Sequence, residues 1–271
     1  MPKYHVSRTR GLISLIIATA SAVLVWNPAQ AATVSFPSPV HSALVVAARQ
    51  THVPVLGPTW LPPLTHHITV LNRAHRTYAA IVKTNAARYS ITWWGERHSF
   101  AVNSPNIMPD TIDAAGSPFV SVAGRRYATR AKAHSAVAHA IFTMSVTPQT
   151  TISRSAQRIT ISSHILGWKW VETNRSGPVK TIDYLAWHER GWLVVTVPAL
   201  GSGLIGTAQS FVSQIAANRP GQFGGIAIDP TGDSTVAIAT WQQGRLMYTV
   251  TATWGVSTAV LTAQSMHRLA N

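Results

Sequence analysis

The fold is decided by residues 181–197, which read TIDYLAWHERGWLVVTV. Two runs within this stretch, 181–187 and 192–197, are rich in β-branched and aromatic residues, which lose little rotamer freedom on a half-buried pleated surface. The residues between them end on Gly191, and glycine most readily adopts the positive φ that a short hairpin connection requires. The stretch therefore predicts a β-hairpin with a turn of three or four residues.

A second stretch near the end of the chain repeats this pattern. Residues 235–250 read TVAIATWQQGRLMYTV, so an apolar run again ends on tryptophan and a turn again contains glycine. Each hairpin is followed by the tetrapeptide Thr-Ala-Gln-Ser, at residues 207–210 and 262–265. Apolar side chains recur there at helical spacing, which predicts a helix after each hairpin. We interpret the two stretches as one duplicated strand-turn-strand-helix unit; the alternative is convergence of short apolar hairpins.

The beginning of the chain has the features of a secretory signal peptide. A basic start precedes an apolar run over residues 11–26, and an Asn-Pro break then leads to the small residues of a cleavage site, with the cut expected after Ala31. Sixteen apolar residues are fewer than the roughly 20 of a membrane span, so we favour cleavage over an uncleaved anchor. The chain has no cysteine, which excludes both a disulfide framework and a lipid-bearing cysteine.

The chain has few charged residues, and most of them are basic. Charged residues make up 11% of the chain, against about 25% in an ordinary soluble domain, and removal of residues 1–31 leaves 19 lysines and arginines against 8 acids. Such an exported chain is expected to be drawn to anionic partners, either a cell-wall polymer or a membrane surface. Nucleic acid is disfavoured, because the basic residues are scattered and only Arg125 and Arg126 are adjacent in the mature chain.

The mature chain divides into three segments that we expect to form one α+β fold. A helix over 39–49 and a proline-rich lead-in fill residues 32–63, a sheet domain fills 64–221, and residues 222–271 form the second hairpin-helix unit, packed on the same domain. Many short strands with few helices predict a mainly antiparallel sheet with short helices packed on one face. Outside the two repeated units we predict strands over 67–72, 77–83, 88–94, 98–103, 140–146, 158–162 and 167–172, a hairpin over 119–129 that turns at 123–124, and a helix over 132–139.

The repeated units and the lead-in also resemble a known group of proteins. A strand that ends in tryptophan, a glycine turn, an apolar strand and a short helix, after a lead-in that reads VPVLGPTWLP at residues 53–62, are similar to extracytoplasmic domains of unknown function in Gram-positive bacteria. The resemblance implies an envelope-associated protein and carries no catalytic residue. Some members of this group look like curved sheets that hold lipid or sense the state of the envelope.

Motifs for catalysis or metal binding are not found in the sequence. There is no G-x-S-x-G elbow and no H-E-x-x-H, and the twelve histidines do not have the spacing of a zinc site. The acid pairs Asp110 with Asp113 and Asp229 with Asp233 lie in loops, where aspartate commonly caps turns. We therefore expect no cofactor and no metal.

Five residues are candidates for binding. Trp168 and Trp170 are two apart on one predicted strand, so both rings face the same side, as a platform for a sugar ring or base requires. The alternative for both is packing in a core. Trp93 precedes a glycine like the tryptophans of the hairpins, and Arg125 and Arg126 complete the set.

The sequence thus predicts a secreted, non-enzymatic envelope protein that binds an anionic or amphiphilic partner. The alternative is a secreted hydrolase of an extracellular polymer, which would need two carboxyl groups about 5–10 Å apart in a cleft.

Overall fold

The structure, a computed structural model, describes residues 34–64, 76–107, 119–147, 149–174, 180–231 and 235–269. These residues contain four helices and twelve strands. In chain order they are α1 (Ser38–Ala48), β1 (Leu56–Pro58), β2 (Thr77–Asn85), β3 (Arg88–Glu96), β4 (Phe119–Arg126), α2 (Arg130–Ile141), β5 (Gln157–Ser162), β6 (Ile165–Asn174), β7 (Lys180–Glu189), β8 (Trp192–Thr196), α3 (Leu204–Val212), β9 (Phe223–Asp229), β10 (Val236–Gln243), β11 (Leu246–Ala252), α4 (Val256–Gln264) and β12 (Met266–Arg268).

Ten of these strands form one sheet, in the order β2-β3-β4-β11-β10-β9-β8-β7-β6-β5, while β1 and β12 pair separately. All ladders of the large sheet are antiparallel except that between β8 and β9. The predicted, mainly antiparallel sheet is therefore confirmed. Strands from the predicted segments 64–221 and 222–271 both belong to it, because β11 pairs with β4 and β9 pairs with β8.

Both predicted hairpins form, with shorter turns than expected. Glu189 pairs with Trp192, which leaves the two-residue turn Arg190-Gly191, and both of these residues have positive φ, as in a type I′ turn. In the second hairpin the turn is Gly244-Arg245, and only the glycine has positive φ. The two hairpins thus use glycine at different positions of the turn.

The sheet carries a separate apolar core on each face. Leu185 and Trp187 of β7 lie in a cluster with buried residues of α1, α3 and α4, on what we call the three-helix face. Tyr184 and Ala186 of the same strand lie in a second cluster with Val137 of α2, on the one-helix face. The prediction that the helices pack on one face is therefore wrong for α2. Because the middle strands are apolar on both sides, each side needs a helix to exclude water.

Several predicted elements outside the repeated units differ from the structure. No turn interrupts residues 123–124, because β4 continues through them to pair with both β3 and β11. Residues 140–146 are the end of α2 followed by turns, and 98–103 are not a strand. The predicted strand over 67–72 lies outside the described residues.

Gly124 has a role in packing, whereas the sequence predicted that it forms a turn. A Cβ atom at this position would lie 2.3 Å from the ring of Tyr89 on the neighbouring strand and 3.1 Å from that of Tyr248. Glycine is therefore required where two tyrosine rings cross β4 on the three-helix face.

We expect Gly124→Ala to lower the free energy of unfolding by about 1–3 kcal/mol, the usual cost of overpacking a core. Gly206→Ala is the control, because no atom lies within 4 Å of a Cβ there and alanine favours the α3 helix by about 0.5–1 kcal/mol. Urea denaturation of both variants measures the difference. Equal stabilities would show that the tyrosine rings can move aside at no cost.

Tyrosines of the sheet hold the proline-rich lead-in against the three-helix face. The hydroxyl groups of Tyr78, Tyr89 and Tyr248 donate to the carbonyl oxygens of Pro62, Leu56 and Pro54, at 2.8, 3.2 and 3.1 Å. Burial raises the pKa of all three, that of Tyr248 to about 12.

The raised pKa values predict a loss of stability in alkali. A tyrosine ionises near pH 10 in the unfolded chain, while burial keeps Tyr248 protonated to about pH 12 in the folded chain. The contribution of these tyrosines to stability is therefore constant below pH 10 and falls between pH 10 and 12, by about 1.4 kcal/mol per pH unit for each of them. Urea midpoints at pH 8 and pH 11 measure the fall, and Tyr248→Phe should reduce it. A midpoint independent of pH would contradict the burial argument.

Candidate functional site

The one-helix face is open on one flank of α2. This helix packs over β8, β9, β10 and β11, and its buried residues belong to the apolar core of the one-helix face. A groove of about 440 Å³ lies beside it, over the strands β2, β3, β4 and β11. Its lining residues are Lys83, Thr84, Arg88, Tyr89, Ser90, Ala123, Gly124, Arg125, Tyr127, Met247 and Thr249.

We call this feature the basic groove because the described residues that line it include three cations and no acid. Ser90, Ala123 and Thr249 pair with one another across three strands, so their small side chains form a shallow floor. Lys83 pairs with Ser90 at one end of this row. All three cations of the groove are exposed at the protein surface.

Two of these cations are direct partners across the sheet. Arg88 of β3 pairs with Arg125 of β4 in the antiparallel ladder, so both side chains leave the same face from neighbouring strands. Like charges directly opposite each other destabilise a sheet, by roughly 0.2–1 kcal/mol. The fold therefore bears an electrostatic cost at this position, which an anion between the two guanidinium groups would reverse.

Tyr127 forms a wall of the groove. The guanidinium of Arg125 lies 5.0 Å from the centre of the Tyr127 ring, within the range of a cation–π contact. The Tyr127 hydroxyl lies 3.5 Å from the sulfur of Met247, and its backbone N–H donates to the carbonyl of Arg245 at 2.9 Å. These contacts hold the ring and orient Arg125.

Two further cations begin the helix that follows. The Thr129 hydroxyl caps α2 by accepting from the backbone N–H of Lys132 at 3.1 Å, and the first turn contains Arg130 and Lys132 but no acid. Cations are unfavourable at the positive end of a helix dipole. The buried Gln242 of β10 fastens this turn to the sheet by donating to the carbonyl of Arg130 at 3.0 Å.

The structure separates the five candidate binding residues. Arg125 lies in the basic groove, whereas Arg126 is not among its lining residues and donates to the carbonyl of His52 at 2.7 Å. Trp93 is fully buried on the three-helix face, where its Nε1 donates to the carbonyl of Pro39 at 3.2 Å. Its burial leaves no part of the Trp93 ring for a ligand to contact.

Trp170 is also a core residue. It is 2% exposed, its ring is stacked on Tyr184 with centres 5.3 Å apart, and its Nε1 donates to Glu172. Trp168 shares the face of Trp170 as expected, but it is only partly exposed and touches the edge of the His188 ring. The predicted two-ring platform therefore does not form, and the core alternative holds for Trp170.

Lys83 and Arg88 were missed as candidates because they lie far from Arg125 in the sequence, and Tyr127 was missed because a single tyrosine two residues after Arg125 belongs to no motif. Arg88 opens its strand directly after a two-residue turn, and this local signal is common. Only the pairing of β3 with β4 brings it beside Arg125, 37 positions along the chain.

A second cavity of about 590 Å³ on the one-helix face has two aspartates among its lining residues. Asp183 alternates with Ile182 and Tyr184, so its side chain leaves β7 on the other face, and it pairs with Lys169 at 3.5 Å. Asp229 accepts from the backbone N–H of Thr231 at 3.0 Å, which is the expected turn role. The cavity thus presents one carboxylate to the one-helix face, where acid–base hydrolysis would need two. Asp110, Asp113 and Asp233 lie outside the described residues.

Glu172 is the most buried carboxylate in the described part of the chain, at 8% exposure. It accepts hydrogen bonds from the hydroxyl of Ser145 at 2.5 Å, the backbone N–H of Thr147 at 3.0 Å, the Trp170 ring at 3.1 Å and the side chain of Gln149. These bonds fasten the segment after α2 to β6. The carboxylate therefore serves a structural role that holds α2 in place.

We expect Glu172→Gln to lower the free energy of unfolding by about 2–3 kcal/mol, because an amide N–H₂ would face donors in a buried site. Glu189→Gln is the control: its ion pair with Arg190 is long, at 3.9 Å, and surface pairs contribute about 0–1 kcal/mol. Thermal unfolding of the two variants provides the measurement. A loss no greater than that of the control would mean that the four bonds add no net stability.

Comparisons with known proteins give no relative for this chain. No protein-family model, no curated protein and no solved structure matches it. The resemblance to extracytoplasmic domains therefore stays a prediction. Among the described residues, no helix is long and apolar enough to span a membrane, and no group of three or more histidines and acids could hold a metal ion.

Proposed function

We propose that the chain is a secreted, non-enzymatic protein of the cell envelope that binds an anionic ligand in the basic groove. The observation that carries this proposal is the cross-strand pairing of Arg88 with Arg125, beside Lys83 and with no acid among the lining residues. A sheet gains nothing from two arginines in direct opposition, and such breaches of local preference are expected at functional sites.

The chemistry of the groove suits recognition. Planar guanidinium groups bind oxyanions through pairs of parallel hydrogen bonds, and the Arg125–Tyr127 contact lowers the entropy lost when that group is immobilised. The hydroxyl of Ser90 on the floor adds a neutral donor, whereas the hydroxyl of Thr249 is bonded to that of Thr240 at 2.9 Å.

The predicted signal peptide and the resemblance to extracytoplasmic domains support a location outside the cytoplasm. An exported chain with 19 basic and 8 acidic residues would meet anionic polymers and headgroups in an envelope of the Gram-positive type. Secretion and a location outside the cytoplasm are therefore part of the function that we propose.

We also propose that the two hairpin-helix units arose by duplication. In support, Trp187 and Trp241 are both buried on the three-helix face, and the serines of the two tetrapeptides donate alike to the carbonyls of Thr207 and Thr262. Other features differ: the Thr207 hydroxyl accepts from the N–H of Ala199, while that of Thr262 has no hydrogen-bond partner among the described residues. A duplication would thus be old enough for the packing of the helices to diverge.

The test replaces Arg88 and Arg125 by glutamine, singly and together, and measures binding of tripolyphosphate by titration calorimetry. We expect each single change to weaken binding about 10- to 100-fold, because a charge-assisted hydrogen bond contributes about 1.5–3 kcal/mol. Thermal stability should stay equal or rise, because the repulsion between the two arginines is removed.

The matched control is Arg158→Gln, which removes an exposed cation from β5 at the opposite edge of the sheet. It should leave binding unchanged. If Arg158→Gln weakens binding as much as Arg88→Gln does, the interaction depends only on net charge. If the unaltered chain does not bind tripolyphosphate, the groove is not an anion site.

A further inference from the structure

We propose that the ligand is a linear phosphate polymer, whose successive charges lie along a row of cations that runs from the basic groove to the first turn of α2. This inference rests on the proposed function and specifies its ligand. The row consists of Lys83, Arg88, Arg125, Arg130 and Lys132.

The register of the sheet gives the row its length. Arg88, Arg125, Met247 and Gln242 are successive partners across β3, β4, β11 and β10, and neighbouring strands lie about 4.8 Å apart. Gln242 holds the carbonyl of Arg130, so the first turn of α2 begins about 10 Å beyond Arg125. The guanidinium of Arg130 donates to the side chain of Gln222, just before β9, at 2.8 Å, which places this charge at the far end of the row. A single phosphate cannot reach both ends of this row, whereas a chain of phosphates can.

Phosphate fits the arginine pair better than carboxylate does. The Cα atoms of residues directly opposite each other in a sheet are about 4.5–5.5 Å apart, so both guanidinium groups can approach one ligand group. Each internal unit of a phosphate polymer has two non-bridging oxygens, as a carboxylate has, but neighbouring units share a bridging oxygen and so offer a second pair of oxygens directly beside the first. Each guanidinium fork can therefore take one unit, whereas the carboxylates of a polypeptide are separated by side chain and backbone.

Two other polyanionic partners fit less well. Single-stranded nucleic acid binds through aromatic rings on which successive bases stack. Among the described lining residues, Tyr127 is the one aromatic side chain on the one-helix face, and Arg125 covers its ring. A membrane surface would need apolar side chains beside the cations. The large apolar residues that are exposed in the described part of the chain, Val34, Leu166, Val171, Leu200, Ile205 and Leu261, all lie outside the groove lining.

The experiment compares the binding of long-chain polyphosphate, tripolyphosphate and orthophosphate to the full chain over a range of salt concentrations. We expect the polymer to bind at least ten times more tightly than tripolyphosphate. Contacts with five cations predict a slope of about −3 to −4 for log K against log salt. Arg130→Gln with Lys132→Gln should reduce the size of this slope by about 1–2 and weaken polymer binding, while tripolyphosphate binding stays unchanged.

The double control removes Arg154 and Arg158, two exposed cations at the other edge of the sheet, and should leave the slope unchanged. Thermal stability that is equal or raised in the Arg130 and Lys132 variant would show that the loss of binding is not a loss of folding, because cations in the first turn oppose the helix dipole.

Each other outcome overturns a stated part of the proposal. If tripolyphosphate binds through Arg88 and Arg125 but the polymer binds no more tightly, the groove is an anion site and the polymer inference is wrong. If no phosphate probe binds, both proposals fail. Equal affinity for polyglutamate would overturn the choice of phosphate, equal affinity for oligothymidylate would indicate a nucleic-acid strand, and binding only to phosphatidylglycerol vesicles would indicate a membrane surface.

Discussion

The antiparallel ladder between β4 and β11 is the interaction on which the rest of the structure depends. It joins residues 119–126 to residues 246–252, and all the strands between them in the sequence lie in the sheet on the far side of β11. Side chains alternate between the faces of a strand, so a shift of this ladder by one residue would exchange the two faces of β4 relative to β11. The cores on both faces therefore fix the register, and the register sets Arg125 beside Met247.

The basic groove follows from the position of α2. Because β7, β8 and β9 are apolar on both faces, α2 must cover the face that α1, α3 and α4 leave open. A twelve-residue helix covers only part of a ten-stranded sheet, and the strands on its flank keep a solvated face with small hydroxyl side chains and cations. A groove beside a helix is thus a geometric consequence of a sheet wider than its cover.

Electrostatics and packing have different roles in this protein. Several aromatic rings of the core donate to carbonyls, such as Trp93 to Pro39 and Trp192 to Ala217, while Nε1 of Trp187 has no partner among the described residues. Glu172, which has no cation as a partner among the described residues, depends on four hydrogen-bond donors. Around the groove the opposite holds, because cations are neighbours and no lining acid relieves them. We interpret this contrast to mean that the core provides stability and that the groove serves binding.

The sequence by itself determined the local elements: the two hairpins, the helices α1 and α2, and the ordered proline-rich lead-in. Turn chemistry and residue spacing act over a few positions, so they can be read without the fold. Only the tertiary structure showed why residue 124 is glycine, which face α2 covers and that Trp170 is buried. Each of these features depends on strands that are far away in the chain. For the same reason only Arg125 of the groove was a candidate: Arg88 stands beside it because two strands pair, and that pairing is selected by the burial of a whole sheet.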